Sequence, residues 1–269
     1  MAVATPLALP TSQSGETPMI ILETKELTKQ FGGLTAVNAV SMHINEGDIV
    51  GLIGPNGAGK TTLVNAIAGL NPPTAGQVFM FGKNTTGKTP EKMCRRGLSR
   101  TFQIPIPFPK MTVLENVMTA AIFGNKPGTI KDPEAHSRQM LSFVEFPIDE
   151  DTISEQLNTV QLKRLDLARA LASSPRMLFL DELASGLSEG ELKDIMDLIL
   201  KIRDKGITIL MIEHIMQLIM NLCNRLVCIQ FGTKIAEGPT EQVANDPAVT
   251  KAYLGDAADS CAPGDQQPA

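Results

Sequence analysis

Residues Gly54-Pro55-Asn56-Gly57-Ala58-Gly59-Lys60-Thr61-Thr62 constrain what this chain can fold into more than any other stretch. They satisfy the pattern G-x-x-x-x-G-K-[ST] at Gly54, Gly59, Lys60 and Thr61. A short apolar run, Asp48 to Ile53, precedes them, and an apolar, helix-compatible run, Leu63 to Leu70, follows. Strand, glycine-rich loop and helix in that order form the context in which such a pattern cradles phosphates. Each residue type answers a physical need. Backbone N–H groups must turn inward on crowded anionic oxygens, which asks for glycines in conformations that other residues avoid. A helix starting near Lys60 directs its positive end at the same oxygens. Lys60 adds a full charge at the β and γ oxygens, and the Thr61 hydroxyl is placed to coordinate Mg2+. The motif implies a bound nucleoside triphosphate and leaves open what the energy drives.

A second element supports the first. Met177-Leu178-Phe179-Leu180 reads as a buried parallel strand, and it ends in Asp181 and Glu182. Ligands of open α/β sheets sit at that carboxyl edge. Asp181 is placed to hold Mg2+ through water, and Glu182, one residue on, to polarise the water that attacks a γ-phosphate. Ile207 to Ile212 is another apolar strand, leading to Glu213-His214. His214 ends its strand where the acids end theirs, which suits a γ-phosphate contact, although a lone histidine is more often structural. Leu98 to Phe102 reads as a strand that delivers Gln103 into a loop, either as a surface residue or as a contact to Mg2+ or the attacking water. Phe31 heads a turn between two strands, Ile20 to Leu27 and Val37 to Ile44. Its ring suits stacking on an adenine or an ordinary place at a strand end.

The remaining segments read coarsely. A strand is expected at Gln77 to Phe81 and a short helix at Pro90 to Gly97. Ile104-Pro105-Ile106-Pro107-Phe108-Pro109 is extended and cannot join a sheet interior; Ile106 and Phe108 are either exposed as a protein contact or simply buried within the loop. Thr112 to Leu171 is mostly helical, with a loop near Asn125 to Pro133. Within it, Gln161 to Ala172 is amphipathic by period, with basic Lys163, Arg164 and Arg169 between its apolar positions. Another amphipathic helix is expected at Gly190 to Ile202, closing strands at Arg225 to Gln230 and Lys234 to Glu237, and a capping helix at Val243 to Leu254.

At 269 residues the chain has ample core. A net charge of −5 argues against nucleic acid as the main partner. Cys94, Cys223, Cys228 and Cys261 are scattered and read as reduced thiols of a cytosolic protein. No apolar run is long enough to span a bilayer, so the chain acts at a membrane only through partners. Residues 1–18 and 256–269 read as disordered tails, with Met19 a second candidate start.

The order of GPNGAGKTT, RTFQ, LFLDE and MIEH resembles that of ABC-transporter ATPase subunits over roughly residues 20–255. FGGLTAVN at 31–38, RTFQIPIPFPKMTVLENV at 100–117 and NDPAVTKAYLG at 245–255 are similar to the ATPase subunits of bacterial branched-chain (hydrophobic) amino acid uptake systems, with urea and short-chain amide systems as close relatives. The resemblance implies an α/β P-loop NTPase fold over residues 19–255. Its parts would be a RecA-like, mostly parallel core, an antiparallel β subdomain and an ABC α-helical subdomain at about residues 104–172. It implies ATP and Mg2+ as cofactors, with Phe31 on the adenine, Gly54 to Thr62 around the phosphates, and Thr61, Gln103 and Asp181 at the metal. Glu182 would be the catalytic carboxylate, Gln103 the sensor facing the permease, and His214 the switch histidine. It implies further a head-to-tail pairing with a second ABC ATPase subunit, two integral-membrane permease subunits, and a periplasmic solute-binding protein acting indirectly, at the cytoplasmic face of the inner membrane.

The chain departs from the family pattern at named places. The signature L-S-G-G-Q falls at Leu157-Asn158-Thr159-Val160-Gln161, where both glycines are replaced. Leu183 stands where proline is usual after Glu182, and Ser188 where Asp or Asn is common. The expected consequence is a heterodimer in which one composite ATP site is full and the other weak. The rival class is a soluble ABC regulator without permeases; a single phosphate loop and no insertion favour the importer.

Overall fold

The computed structural model describes residues 19–124 and 128–259. Its first strands form one long hairpin: β1 (Ile20–Phe31) pairs antiparallel with β2 (Leu34–Asn45). Both strands are longer than their alternation suggests, because the turn narrows to Gly32-Gly33, where Gly32 takes a φ of 56°. The chain then enters a second sheet with β3 (Ile49–Ile53) and turns through the phosphate loop into α1 (Lys60–Ala68). It returns to the first sheet with β4 (Ala75–Met80) and β5 (Lys83–Asn84), giving an antiparallel order β2-β1-β4-β5.

After α2 (Pro90–Cys94), β6 (Leu98–Arg100) joins the second sheet and ends two residues before its expected limit. A helical layer follows: α3 (Val113–Phe123), α4 (Pro133–Phe143) and α5 (Thr159–Ala172) pack on one another. The loop expected at 125–133 lies partly outside the described residues. β7 (Met177–Asp181), α6 (Glu189–Asp204), β8 (Thr208–Ile212), α7 (Met216–Leu222), β9 (Arg225–Gln230) and β10 (Thr233–Pro239) complete the second sheet, in the order β10-β9-β3-β8-β7-β6. Its pairs are parallel except β9 with β10.

The single capping helix expected at Val243 to Leu254 is two helices, α8 (Thr240–Ala244) and α9 (Pro247–Asp259). Pro247 cannot continue a helix but suits the first turn of a new one. The helix also runs four residues beyond the expected boundary at 255. The rest of that tail, and residues 1–18, lie outside the described residues.

All five residues of β3, of β7 and of β8 are buried. Strands covered on both faces carry unbroken apolar runs for that reason. Phe179 is among the largest fully buried side chains and belongs to one core cluster with Leu210 of the neighbouring β8 and with Leu52 and Val227 further across the sheet.

One buried side chain anchors the far end of the segment between β6 and α3. Asn116 of α3 is fully buried; its Oδ1 accepts the Phe108 N–H at 2.8 Å, and its Nδ2 donates to the carbonyls of Phe108 at 3.1 Å and Thr112 at 2.9 Å. Asn116→Ala leaves a buried N–H without a partner, which costs about 2–3 kcal/mol of unfolding free energy. Chemical denaturation measures that loss, and limited proteolysis would show cleavage concentrated between Gln103 and Met111.

Candidate functional site

β3, β8 and β7 are neighbours, and their registers align Leu52 with Ile212 and Ile212 with Asp181. The phosphate loop after β3, the acids at the end of β7 and Glu213-His214 after β8 therefore open on one edge of the sheet.

The loop is shaped by close backbone approaches. Gly54 has φ 143°, and a Cβ there would stand 2.0 Å from the Ile229 carbonyl oxygen of β9. Gly59, the N-cap of α1, has φ 102°, and its Cβ would stand 2.3 Å from the Ala36 carbonyl oxygen of β2. No other residue type fits either position. Lys60 Nζ donates to the carbonyls of Gly54 at 2.6 Å and Pro55 at 2.9 Å, and burial lowers its pKa. Thr61 is exposed in the first turn of α1, while Thr62 is half-buried. Asn56 and Gly57 form the exposed crown of the loop, and Ala58 is buried beneath it.

The hairpin carrying Phe31 is tied to this loop. Gly232 N–H donates to the Ala58 carbonyl at 2.9 Å, and Asn38 N–H donates to the Gly232 carbonyl at 2.8 Å. Phe31 itself is exposed, with Lys29 Nζ 5.0 Å above its ring.

Asp181 is buried at the end of β7, and its Oδ2 accepts from Arg100 Nη2 at 2.6 Å. Arg100 also donates to Asn65 Oδ1, joining β6 and β7 to α1. Glu182 follows in the left-handed region, φ 46°, with its N–H donating to the Ile212 carbonyl at 2.9 Å. A non-glycine residue held there stores strain of the kind found at functional sites. Gln103 Nε2 donates to Glu182 Oε2 at 2.5 Å, so two residues far apart in the chain meet at the site.

His214 is exposed at the end of β8. Its neighbour Glu213 is buried: Oε1 accepts the Ala184 N–H at 3.0 Å, Oε2 has no partner among the described residues, and burial raises the carboxyl pKa.

Lys163 corrects the reading of its helix. The period places it among solvent-facing basic residues, but the side chain is 5% exposed and points under the loop that follows Glu182. Its Nζ donates to the carbonyls of Leu183 at 2.9 Å and Ser185, while burial lowers its pKa. Leu183, replacing proline, is buried here, and Ser188 caps α6 with Glu191 in a capping box. Lys163, Glu213 and Arg100 give no local signal in the sequence, because each acts through a partner on a distant element.

Leu157-Asn158-Thr159-Val160-Gln161 forms the start of α5. Asn158 Oδ1 accepts the Gln161 N–H and Gln161 Oε1 accepts the Asn158 N–H, both at 2.9 Å, a reciprocal cap. Leu157 is buried; Asn158 and Thr159 are exposed and Val160 and Gln161 are half-buried.

Among the described residues no group of three or more His, Cys, Asp and Glu side chains is placed to hold a metal ion. Thr61, Gln103 and Asp181 supply a hydroxyl, an amide and one carboxylate, a donor set that suits Mg2+ shared with phosphate oxygens and water.

A family model described as ABC transporter matches residues 37–185, and one described as branched-chain amino acid ATP-binding cassette transporter matches residues 233–259. The high-affinity branched-chain amino acid transport ATP-binding protein BraF of Pseudomonas aeruginosa is 38% identical over 251 residues, covering 88% of this chain and 98% of that protein. Its counterpart LivG of Escherichia coli (strain K12) is 37% identical over 251 residues, with coverage of 88% and 98%. A nucleotide-free ATP-binding cassette from an ABC transporter superposes with a TM-score of 0.79 at 35% identity, covering 87% of this chain and 99% of that one. A cassette solved in its ADP conformation gives a TM-score of 0.79 at 34% identity, with coverage of 88% and 99%.

The burial of Glu213 has a pH signature. Raised above its ordinary 4.5, the carboxyl keeps its proton in the fold where the unfolded chain has lost it. Its contribution to stability is full below that ordinary value and is lost as pH rises through the folded value. Glu213→Gln removes this dependence, so the stability of the variant relative to wild type should increase as pH is raised from about 5 over the range in which the protein stays folded, as read by urea denaturation. A difference that stays flat over that range would mean that the folded protein holds Glu213 ionised.

Proposed function

Because the chain belongs to the ABC transporter family of ATP-binding cassettes, we propose that it is the ATP-hydrolysing subunit of an importer for branched-chain or other hydrophobic amino acids. The observation that carries the solute class is identity to branched-chain amino acid transport ATP-binding proteins over 88% of the chain, together with the separate match at residues 233–259.

The site residues have chemistry suited to these roles. Phe31 offers a face to the adenine. Lys60 leaves the carbonyls of Gly54 and Pro55 for the β and γ oxygens, while the N–H groups from Asn56 to Thr62 surround the phosphates. Thr61, Asp181 and Gln103 would hold Mg2+, which neutralises charge on the β and γ oxygens. Glu182 accepts the proton of the attacking water, and Gln103, already bonded to it, sets its orientation. His214 faces the γ-phosphate from the end of β8. The N-terminus of α5, residues 157–161, would meet the ATP of a second ABC ATPase subunit. The replaced glycines favour a partner with a different signature, hence a heterodimer.

Among the described residues no helix is long and apolar enough to cross a membrane. ABC importer subunits of this kind work with membrane permeases, and the surface offers a seat for one. A groove of about 320 Å³ runs between α2, α3 and α5, lined by Leu70, Met93, Leu98, Phe102, Ile106 and Ala120. Ile104 is 74% exposed and Ile106 76% exposed beside it. One permease docked there, with a second on the partner ATPase subunit, would place the chain at the cytoplasmic face of the inner membrane, with a periplasmic solute-binding protein delivering the solute from the other side.

Purification from a membrane extract with this chain as bait should bring down two permeases and a second, different ATPase. Soluble partners alone, with ATPase activity intact, would overturn the importer reading, and equal turnover at both composite sites would overturn the asymmetric dimer. In the purified complex, Glu182→Gln should lower kcat for ATP by about 100-fold or more while nucleotide binding persists.

A further inference from the structure

We infer that Tyr253, on the C-terminal helix α9, is a positioning residue for the phosphate loop and that its hydroxyl reports whether the loop holds nucleotide. The loop begins where a ladder stops. β3 pairs with β9 as far as Ile53 opposite Cys228, so the next N–H, that of Gly54, has no strand partner. The Tyr253 hydroxyl accepts it at 2.8 Å. The carbonyl of the same residue accepts from Lys60 Nζ at 2.6 Å. Gly54 is thus held on its N–H by α9 and on its carbonyl by the lysine, while the Ile229 carbonyl blocks any shift toward β9.

The tyrosine is delivered by a seated helix. Val249 of α9 is buried in the main core, Ala252 is buried too, and α9 packs on β10 and α8. The ring is half-buried, so its hydroxyl bonds in a partly desolvated place where a hydrogen bond is worth more than in water. Burial raises the Cys228 thiol to about 11, so it is neutral at physiological pH.

Entry of phosphates draws the Lys60 ammonium off the Gly54 carbonyl. Tyr253 then carries the side-chain tie to Gly54, and its hydroxyl feels the departure of a cation from the far side of one residue. Nucleotide binding and the docking of α9 are therefore linked, and linkage is reciprocal: whatever loosens α9 weakens nucleotide binding.

The chain contains one tyrosine and no tryptophan, which makes the test direct. The full chain labelled with 3-fluorotyrosine gives a single 19F signal from Tyr253. Titration with MgADP and with a non-hydrolysable ATP analogue should move that signal, saturating at the same Kd as calorimetry on the same sample. Tyr253→Phe keeps the ring and its packing but cannot accept the Gly54 N–H. It should bind nucleotide about fivefold more weakly than wild type. In the purified complex its KM for ATP should rise by a similar factor while kcat stays within about twofold. A 19F signal unmoved when calorimetry shows saturation, or a phenylalanine variant with wild-type affinity, would overturn the assignment. The wild-type isotherm tests nucleotide binding itself separately.

Discussion

A parallel sheet covered on both faces has only its ends for polar work. β3, β7 and β8 are buried along their whole length, and the polar groups of the candidate site start where those strands stop. Gly54 follows Ile53, Glu182 follows Asp181, and Glu213 follows Ile212. The registers that pair Leu52 with Ile212 and Ile212 with Asp181 bring the three exits level. A one-residue slip in that apolar packing would separate them by the rise of one residue, about 3.3 Å, the difference between contact and none. Core packing thereby determines the chemistry at the edge.

α5 carries that order into the helical layer through a row of polar groups. Lys163, Asp166 and Arg169 stand three residues apart on one face. Lys163 reaches the loop after Glu182; Asp166 Oδ2 accepts the Phe102 N–H at 2.9 Å; Arg169 Nη1 donates to the Ile106 carbonyl at 3.0 Å. Burial raises the Asp166 carboxyl and lowers the Lys163 ammonium, so both are held in places that disfavour their charge. Such groups persist when backbone partners compensate them, and removing one partner of a buried set is strongly destabilising. The helix that starts with residues 157–161 is in this way tied to the two loops that flank Glu182 and Gln103.

The parts of the molecule legible in the sequence are those with local signals. Unbroken apolar runs mark the core strands, glycine spacing marks the phosphate loop, and two acids after a strand mark its carboxyl edge. The period of α5 is legible too, but it assigns the polar row of Lys163 and its neighbours to solvent, because a helix face filled by charged groups with distant backbone partners has no apolar stripe to reveal it. Arg100 and Glu213 lack a local signal because their partners, Asn65 and Asp181 for the one and the Ala184 N–H for the other, lie on distant elements. Asn158 shows the converse: as a departure from L-S-G-G-Q it looks like a loss, while with Gln161 it makes a complete helix cap. Ser188 is a cap with Glu191 in the same way.

The segment from Phe102 to Phe108 behaves as a strut. Pro105 and Pro107 restrict its backbone, and each end is clamped twice. Phe102 is held by its N–H to Asp166 and by the Arg100 guanidinium stacked 5.1 Å from its ring; Phe108 is held by Asn116 and by the Arg169 guanidinium 5.6 Å from its ring. A rod pinned at both ends does not absorb a push by bending locally. Gln103, set inside the clamped stretch, is thereby kept against the Glu182 carboxylate while Ile104 and Ile106 face outward.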